Sequence, residues 1–193
     1  MLTLIALSAG IAATVQPSSA AEIFRAACLS DDKGLAPEGA VEIAQAELPP
    51  VLQTSLRFPI LPEDPPMPVV MRQKVGNTFS QSSGKYYSIA GQRPAFVAVQ
   101  EVARPAGVPH QICSVASKAI RFQDAVEHFS TTALSALRKE HPVLGSGRTL
   151  ILRTPSASGH SITIERLQDG YVVFQSSIAK RVASPSAARE RIC

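Results

Sequence analysis

The stretch SITIERLQDGYVVFQSSI, residues 161–178, contains two runs of β-forming residues on either side of the pair Asp169-Gly170. Asp and Gly tolerate the left-handed backbone conformation that a tight turn requires, so this pair predicts a hairpin of two antiparallel strands. A further β-rich run, RTLILRT (148–154), precedes the hairpin. The C-terminal part of the chain is therefore predicted to form an antiparallel sheet.

A second group of predicted strands lies earlier in the chain, and a predicted helix separates the two groups. Between the groups, apolar residues recur at helical spacing over residues 122–139, and Pro142 would end this helix. The pattern predicts an α+β fold, a mostly antiparallel sheet with one long amphipathic helix across a face. The sequence shows no internal repeat. The earlier strands are predicted at PVVMRQKV (68–75), KYYSIA (85–90), AFVAVQEVA (95–103) and HQICSVAS (110–117).

The proline-rich stretch LPEDPPMP, residues 61–68, separates an N-terminal arm from this strand-rich body. Short helices are predicted in the arm, and Pro50 suits the first turn of the last of them. These helices are expected at EIFRAACL (22–29), GAVEIAQA (39–46) and residues 50–56. The predicted organisation is a signal peptide (1–21), a helical acidic arm (22–66), an α+β body (67–183) that forms one domain with the arm, and a mobile tail (184–193).

The first 21 residues resemble a secretory signal peptide. An apolar run from Leu2 to Val15 is followed by the small residues Ser18-Ser19-Ala20-Ala21, as at a signal-peptidase site. The run is too short to span a membrane, and a buried N-terminal helix is the alternative interpretation. Cleavage would leave about 172 residues, enough for one domain that buries about 70% of its unfolded surface. A periplasmic or secreted protein with no membrane span in its mature chain is predicted.

In an oxidising compartment, the cysteines of a small domain usually pair. Cys28 lies on the first predicted helix and Cys113 on a predicted strand, so a disulfide between them would join the arm to the body. The alternative is a catalytic thiol, with His110 as its base. Residues 110 and 113 of a strand point to opposite faces, so only a histidine distant in sequence could serve Cys113. Cys193 leaves an odd count, and its pairing stays open.

Charge divides unevenly between the two parts of the chain. The segment 22–66 holds eight acidic and three basic residues, a net charge of −5, and the remainder has a net charge of +9. A basic body could meet an anionic envelope component, or the acidic arm could pack on the body and offset its charge. The bases are scattered singly, which favours the second interpretation. Nucleic acid is not an expected partner because no run combines aromatic and basic residues.

Motifs for catalysis or cofactor binding are weak in this sequence. Ser82-Ser83-Gly84-Lys85 matches S-x-x-K, but it lies in a Gly/Ser-rich segment typical of a solvated turn. The four histidines are not spaced as metal ligands, and no phosphate or dinucleotide fingerprint occurs. No cofactor and no metal are therefore predicted. A non-enzymatic binding protein is favoured, with a hydrolase built from residues far apart in sequence as an alternative.

Two stretches resemble known proteins. The spacing F-x-x-x-C after the signal, Phe24 to Cys28, with a later strand cysteine, resembles small exported proteobacterial periplasmic proteins of unassigned function. The sequence Ser83-Gly84-Lys85-Tyr86-Tyr87 resembles the S-G-x-x-Y loop of periplasmic lysozyme inhibitors. The second resemblance implies an inhibitor that inserts this loop into the cleft of the enzyme.

The segment GNTFSQSSGKYYS, residues 76–88, is the predicted binding loop. It combines the composition of a surface loop with two tyrosines, which supply rigid contact area. Adjacent strand residues point to opposite faces, so one tyrosine is expected to be exposed. The predicted binding residues are Ser83, Lys85, Tyr86 and Tyr87, and the predicted partner is an unidentified envelope protein or an anionic envelope component.

Overall fold

The fold is centred on one antiparallel β-sheet. The computed structural model describes residues 19–29, 36–37, 39–61, 80–91, 94–103, 108–130, 138–143, 147–153, 161–167 and 169–180. Within these residues the sheet has eight strands in the order β1-β2-β3-β4-β8-β7-β6-β5. The strands are β1 (Ala40–Ile43), β2 (Ser80–Ile89), β3 (Ala95–Ala103), β4 (His110–Ser117), β5 (Arg138–Val143), β6 (Gly147–Arg153), β7 (Ser161–Arg166) and β8 (Val172–Ala179). The α+β class predicted from the sequence is confirmed.

Three helices accompany the strands in the described residues. Helix α1 (Ala20–Phe24) continues into a π-helical turn (Arg25–Leu29), helix α2 (Pro50–Arg57) follows a 3-10 turn (Gln45–Glu47), and helix α3 (Phe122–Ser130) follows β4. The predicted helices at 22–29 and 50–56 are thus present, and Pro50 occupies the first helical turn as expected.

The topology repeats one arrangement, although the sequence shows no repeat. Helix α1 precedes the meander β1–β4, and helix α3 precedes the meander β5–β8. The two meanders meet at the centre of the sheet, where β4 and β8 pair antiparallel from His110↔Ala179 to Ser117↔Val172. This pairing relates the halves by an approximate two-fold axis, with α2 as an insertion in the first half.

One side of the sheet, which we call the disulfide face, carries the larger apolar core. Cys113, Val115 and Phe174 point to this side, and α1, its π-helical turn and α3 pack on it. Phe24 of α1 is fully buried and stacks on Phe174, with ring centroids 5.5 Å apart. Side chains alternate along each strand, so residues 112, 114 and 116 of β4 point to the other side. We call that side the polar face.

The polar face is covered in part by α2. Leu52 and Leu56 are fully buried and pack with Tyr86 and Ala98 of the sheet. A smaller apolar cluster lies beside this one and contains Leu61, Val102 and Ile112. Both sides of the central strands are therefore covered.

The C-terminal hairpin is present as predicted. Strands β7 and β8 pair antiparallel from Ser161↔Ser177 to Arg166↔Val172. Gly170 has φ 91°, a left-handed conformation that glycine adopts without strain. The connection is longer than a two-residue turn, because the strands end at Arg166 and begin again at Val172.

The prediction of one long helix over residues 122–139 is wrong at its C-terminal end. Helix α3 is described over Phe122–Ser130, and Arg138–Val143 is strand β5, paired with β6 along its length. Pairing in the sheet outweighs the helical spacing of the preceding apolar residues. Pro142 lies in the outermost strand, where a missing backbone N–H is tolerated, and it therefore does not end a helix.

The predicted helix GAVEIAQA (39–46) is also wrong. Ala40–Ile43 forms β1, which pairs with β2 from Ala40↔Ile89 to Ile43↔Tyr86. Gly39 has φ 74° and turns the chain into this strand. The acidic arm therefore contributes an edge strand to the sheet as well as helices.

Several sequence predictions lie outside the described residues. They are the signal segment up to residue 18, the strand predicted at 68–75, most of the proline-rich break, the tail 184–193 and Cys193. The division into arm, body and tail stays a prediction.

Candidate functional site

The disulfide predicted from the sequence is present. Cys28, in the π-helical turn after α1, bonds to Cys113 of β4, with an S–S distance of 2.03 Å and a sequence separation of 85 residues. Both cysteines are buried. The bond joins the helix on the disulfide face to one of the two central strands, so Cys113 is a structural residue and has no free thiol for catalysis.

The predicted binding loop is a strand. Residues 80–89 form β2, and Ser83 pairs with Glu101 of β3, next to a register shift between Gln81 and Ser83. Tyr86 and Tyr87 are each only 5% exposed, so the expectation of one exposed ring is wrong. Their alternation places them on opposite faces as expected, but both faces are covered at this point. Tyr86 and Tyr87 were assigned to a binding surface because one ring was expected to be exposed, and neither ring is.

Three of the predicted binding residues, Lys85, Tyr86 and Tyr87, do not share one exposed surface. Lys85 is exposed, and its Nζ lies 4.0 Å from a carboxylate oxygen of Glu42 in β1. The Tyr86 hydroxyl accepts a hydrogen bond of 2.9 Å from Gln100 Nε2 on the polar face, whereas Tyr87 packs in the core of the disulfide face. A binding role for Ser83, Lys85, Tyr86 and Tyr87 stays a prediction.

Three of the described basic residues on the surface have acidic partners. Lys85 lies near Glu42 of the arm, Lys180 donates to Glu101, and Arg121 forms two bonds of 2.8 Å with Asp124. Exposed pairs of this kind contribute little to stability. Only the Lys85–Glu42 pair joins the arm to the body, and the other two pairs lie within the body.

Histidine 110 lies on the polar face, on the opposite side of the sheet from the disulfide. Its Nδ1 is 3.2 Å from Ser177 Oγ of β8. A histidine near a serine is the arrangement of a hydrolase nucleophile. In the folded protein Ser177 has no exposed surface, so a substrate could reach it only if the cover of the polar face were displaced. The contact is therefore assigned to the pairing of two buried polar groups.

These two residues belong to a larger group of buried polar side chains on the polar face, which we call the polar cluster. Strand pairing places the members side by side, since Ser114 lies opposite Gln175, and Gln175 lies opposite Thr163. On the same strands, Val115, Phe174 and Ile164 point into the apolar core of the disulfide face. The cluster consists of Gln100, His110, Ser114, Ser161, Thr163, Glu165, Gln175 and Ser177.

Gln175 contacts the main chain that follows α2. Its Nε2 donates to the carbonyl oxygen of Ile60 at 2.5 Å, and its Oε1 accepts from the N–H of Ile60 at 3.2 Å. One side-chain amide thus satisfies both main-chain groups of a single residue. Ile60 and its neighbour Leu61 are buried on the polar face by this contact and by the apolar cluster beside it.

Gln100 is the least satisfied member of the polar cluster. Its Nε2 donates to Tyr86, but its buried Oε1 has no hydrogen-bond partner among the described residues. Leaving a buried acceptor unpaired costs about 1–3 kcal/mol. The site therefore retains polarity at a cost in stability.

The groups with shifted pKa values lie outside the polar cluster, and all of them except Tyr171 lie in or next to helices α1 and α3. The pKa of Glu22 is lowered chiefly by the hydrogen bond of 2.6 Å that its carboxylate accepts from the Ser19 N–H. The pKa of His128 in α3 is lowered by burial and then by the nearby positive charge of Arg25.

The described part of the chain contains no group of three or more His, Cys, Asp or Glu residues that could hold a metal ion. Hydrogen bonding is thus the chemistry that the polar cluster offers.

The chain matches no protein family, no curated protein and no solved structure among those with which it was compared. Among the described residues, no helix is long and apolar enough to cross a membrane.

The sequence prediction missed the polar cluster because each member lies within a run of strand-forming residues. HQICSVAS and YVVFQSSI were predicted only as strands. A signal was present, since His110 and Ser114 stand four apart in one run and Gln175 and Ser177 two apart in the other, so the polar side chains of each pair alternate onto one face of the strand. Such alternation predicts a strand with one exposed face. It did not predict that this face would be covered.

Proposed function

We propose that this protein is an exported, disulfide-bonded envelope protein that acts by binding, and that the polar cluster is its binding surface. The observation that carries the proposal is the concentration of buried polar side chains on one face of the central strands. The disulfide face is mostly apolar, with Ser117 and Ser176 as its buried polar side chains, and a core that served only stability is expected to be apolar. Buried polar groups that lower the free energy of unfolding are typical of a binding site.

Export is proposed from the N-terminal sequence and the disulfide together. The apolar run and small residues before Glu22 resemble a signal peptide, and stable disulfides are typical of oxidising compartments. Mass spectrometry of the protein recovered from a periplasmic fraction should give a mature N-terminus at Ala21 or Glu22. An intact Met1 on that material would contradict export with cleavage.

The binding proposal is tested by replacing polar cluster residues with apolar residues of similar shape. Thr163→Val should leave the free energy of unfolding unchanged or raise it, because an apolar isostere removes buried polarity without a cavity. The same variant, coupled to a resin, should lose capture of its partner from a periplasmic extract. Ile164→Thr is the matched control on the disulfide face and should lower stability by about 1–3 kcal/mol. If Thr163→Val lowers stability by as much as its control, the cluster is structural and the proposal fails.

Inhibition of lysozyme remains the alternative binding function. It rests on the resemblance of Ser83-Gly84-Lys85-Tyr86-Tyr87 to an inhibitory loop, and its weakness is the pairing of these residues within β2. The assay is the rate of cell-wall lysis by lysozyme in a large molar excess of this protein. An unchanged rate would remove this alternative.

A further inference from the structure

We infer that the polar face binds a polypeptide segment in extended conformation, and that residues 58–61, which we call the strap, occupy this site in the free protein. The inference rests on the proposed function, since it names the ligand class of the polar cluster. It is carried by the two hydrogen bonds between Gln175 and Ile60 and by the burial of the strap's apolar side chains.

The contact of Gln175 is directed at the polypeptide main chain. Its amide donates to one carbonyl and accepts from the N–H of the same residue, so the pairing does not depend on which side chain that residue carries. Recognition of extended peptides commonly combines main-chain hydrogen bonds with pockets for alternate side chains. Any extended segment that presents a main-chain N–H and C=O can form the same two hydrogen bonds with Gln175 in place of Ile60.

A pocket for a side chain lies beside this main-chain contact. Leu61 is fully buried and packs with Val102 of β3 and Ile112 of β4. Ile112 lies opposite Ser177 in the sheet, and Ser177 is two residues from Gln175. The main-chain contact and the apolar pocket are therefore neighbours on the same face, as a bound peptide requires.

Other members of the polar cluster extend the site beyond the strap. Ser114 lies directly opposite Gln175, and Thr163 lies opposite it on the other side. Both carry hydroxyl groups that can donate and accept hydrogen bonds.

The test uses the strap's own sequence as the probe. A fluorescently labelled peptide of residues 57–62, RFPILP, is titrated against the wild-type protein and against Leu61→Ala, and binding is followed by anisotropy. Leu61→Ala weakens the internal strap and leaves Gln175 intact, so it should bind the peptide at least about tenfold more tightly. The matched control is the same peptide N-methylated at the residue equivalent to Ile60. Without that N–H, its binding should be weaker by about tenfold, because Gln175 Oε1 loses its donor.

A second measurement applies if Leu61→Ala does not fold. Excess unlabelled peptide added to the wild-type protein should speed deuterium uptake at the Ile60 amide, because the displaced strap loses its protection. Uptake within β8 should stay unchanged. Equal binding of the methylated and unmethylated peptides, or no binding together with unchanged uptake at Ile60, would overturn the inference. The Thr163→Val result reports on the binding surface separately, so the proposed function can stand if the peptide fails to bind.

Discussion

Removal of the disulfide should lower the stability of the protein by several kcal/mol. The bond between Cys28 and Cys113 closes a loop with a sequence separation of 85 residues. In the chain-entropy model, a loop of this length contributes about 4.5 kcal/mol by restricting the unfolded chain. Domains of this size are stable by about 5–15 kcal/mol in total, so the bond supplies a large share. The double variant Cys28→Ala/Cys113→Ala should melt about 9–18 °C below the wild-type protein.

The assay is unfolding in urea followed by far-ultraviolet circular dichroism, on the oxidised wild-type protein and on the double variant. The midpoint should fall, and the dependence on urea should steepen because the unfolded chain expands without the cross-link. Cys193→Ala is the matched control and should leave the midpoint unchanged. A loss of less than about 1 kcal/mol in the double variant would refute the loop-closure reasoning. An equal loss in Cys193→Ala would show that a different pair of cysteines carries the stabilisation.

Four further variants test packing, titration and capping. Phe24→Ala should lower the free energy of unfolding by about 3–5 kcal/mol because this ring is fully buried. Val41→Ala, at an exposed position, should change it by less than about 0.5 kcal/mol in the same urea titration. Burial lowers the pKa of His128 in the folded protein, so its contribution to stability is present above about pH 6.5 and is lost as the pH falls through the folded value. Between pH 8 and pH 5 the wild-type protein should therefore lose more stability than His128→Gln, and an equal loss would contradict this assignment. In the chain that retains residue 19, Ser19→Ala should cost about 0.5–2 kcal/mol by removing a helix cap, measured as a shift in thermal midpoint.

The strands were predictable because local composition and pairing agree. The boundaries predicted at 95–103 and 110–117 match β3 and β4, and Asp169-Gly170 marked the β7–β8 hairpin. β-branched residues between glycine-containing turns carry this information within short windows of sequence. The order of the strands could not be predicted in the same way. Pairing of β4 with β8 joins residues about sixty positions apart, and no local pattern specifies it.

The errors share one physical cause, which is tertiary pairing that overrides local preference. Residues 138–143 and 40–43 both lie in edge strands and pair on only one side in the described sheet. Edge strands tolerate proline, charge and helix-forming residues, so their sequences resemble helices or loops. The binding loop was misplaced for a related reason. The segment SQSSG has the composition of a surface loop, but it is paired with β3 on one side.

The N-terminus links the proposed export to the disulfide. Ser19 and Glu22 form a reciprocal pair of cap hydrogen bonds, and Ala20 and Ala21 are buried in the core of the disulfide face. Cleavage after Ala20 or Ala21 would remove the Ser19 cap and part of this first turn, which weakens a helix of only five residues. Cys28 lies after the weakened turn and is covalently bound to β4. The disulfide therefore keeps Phe24 on the sheet when the cap is absent, and its removal should destabilise the cleaved protein more than the full-length chain.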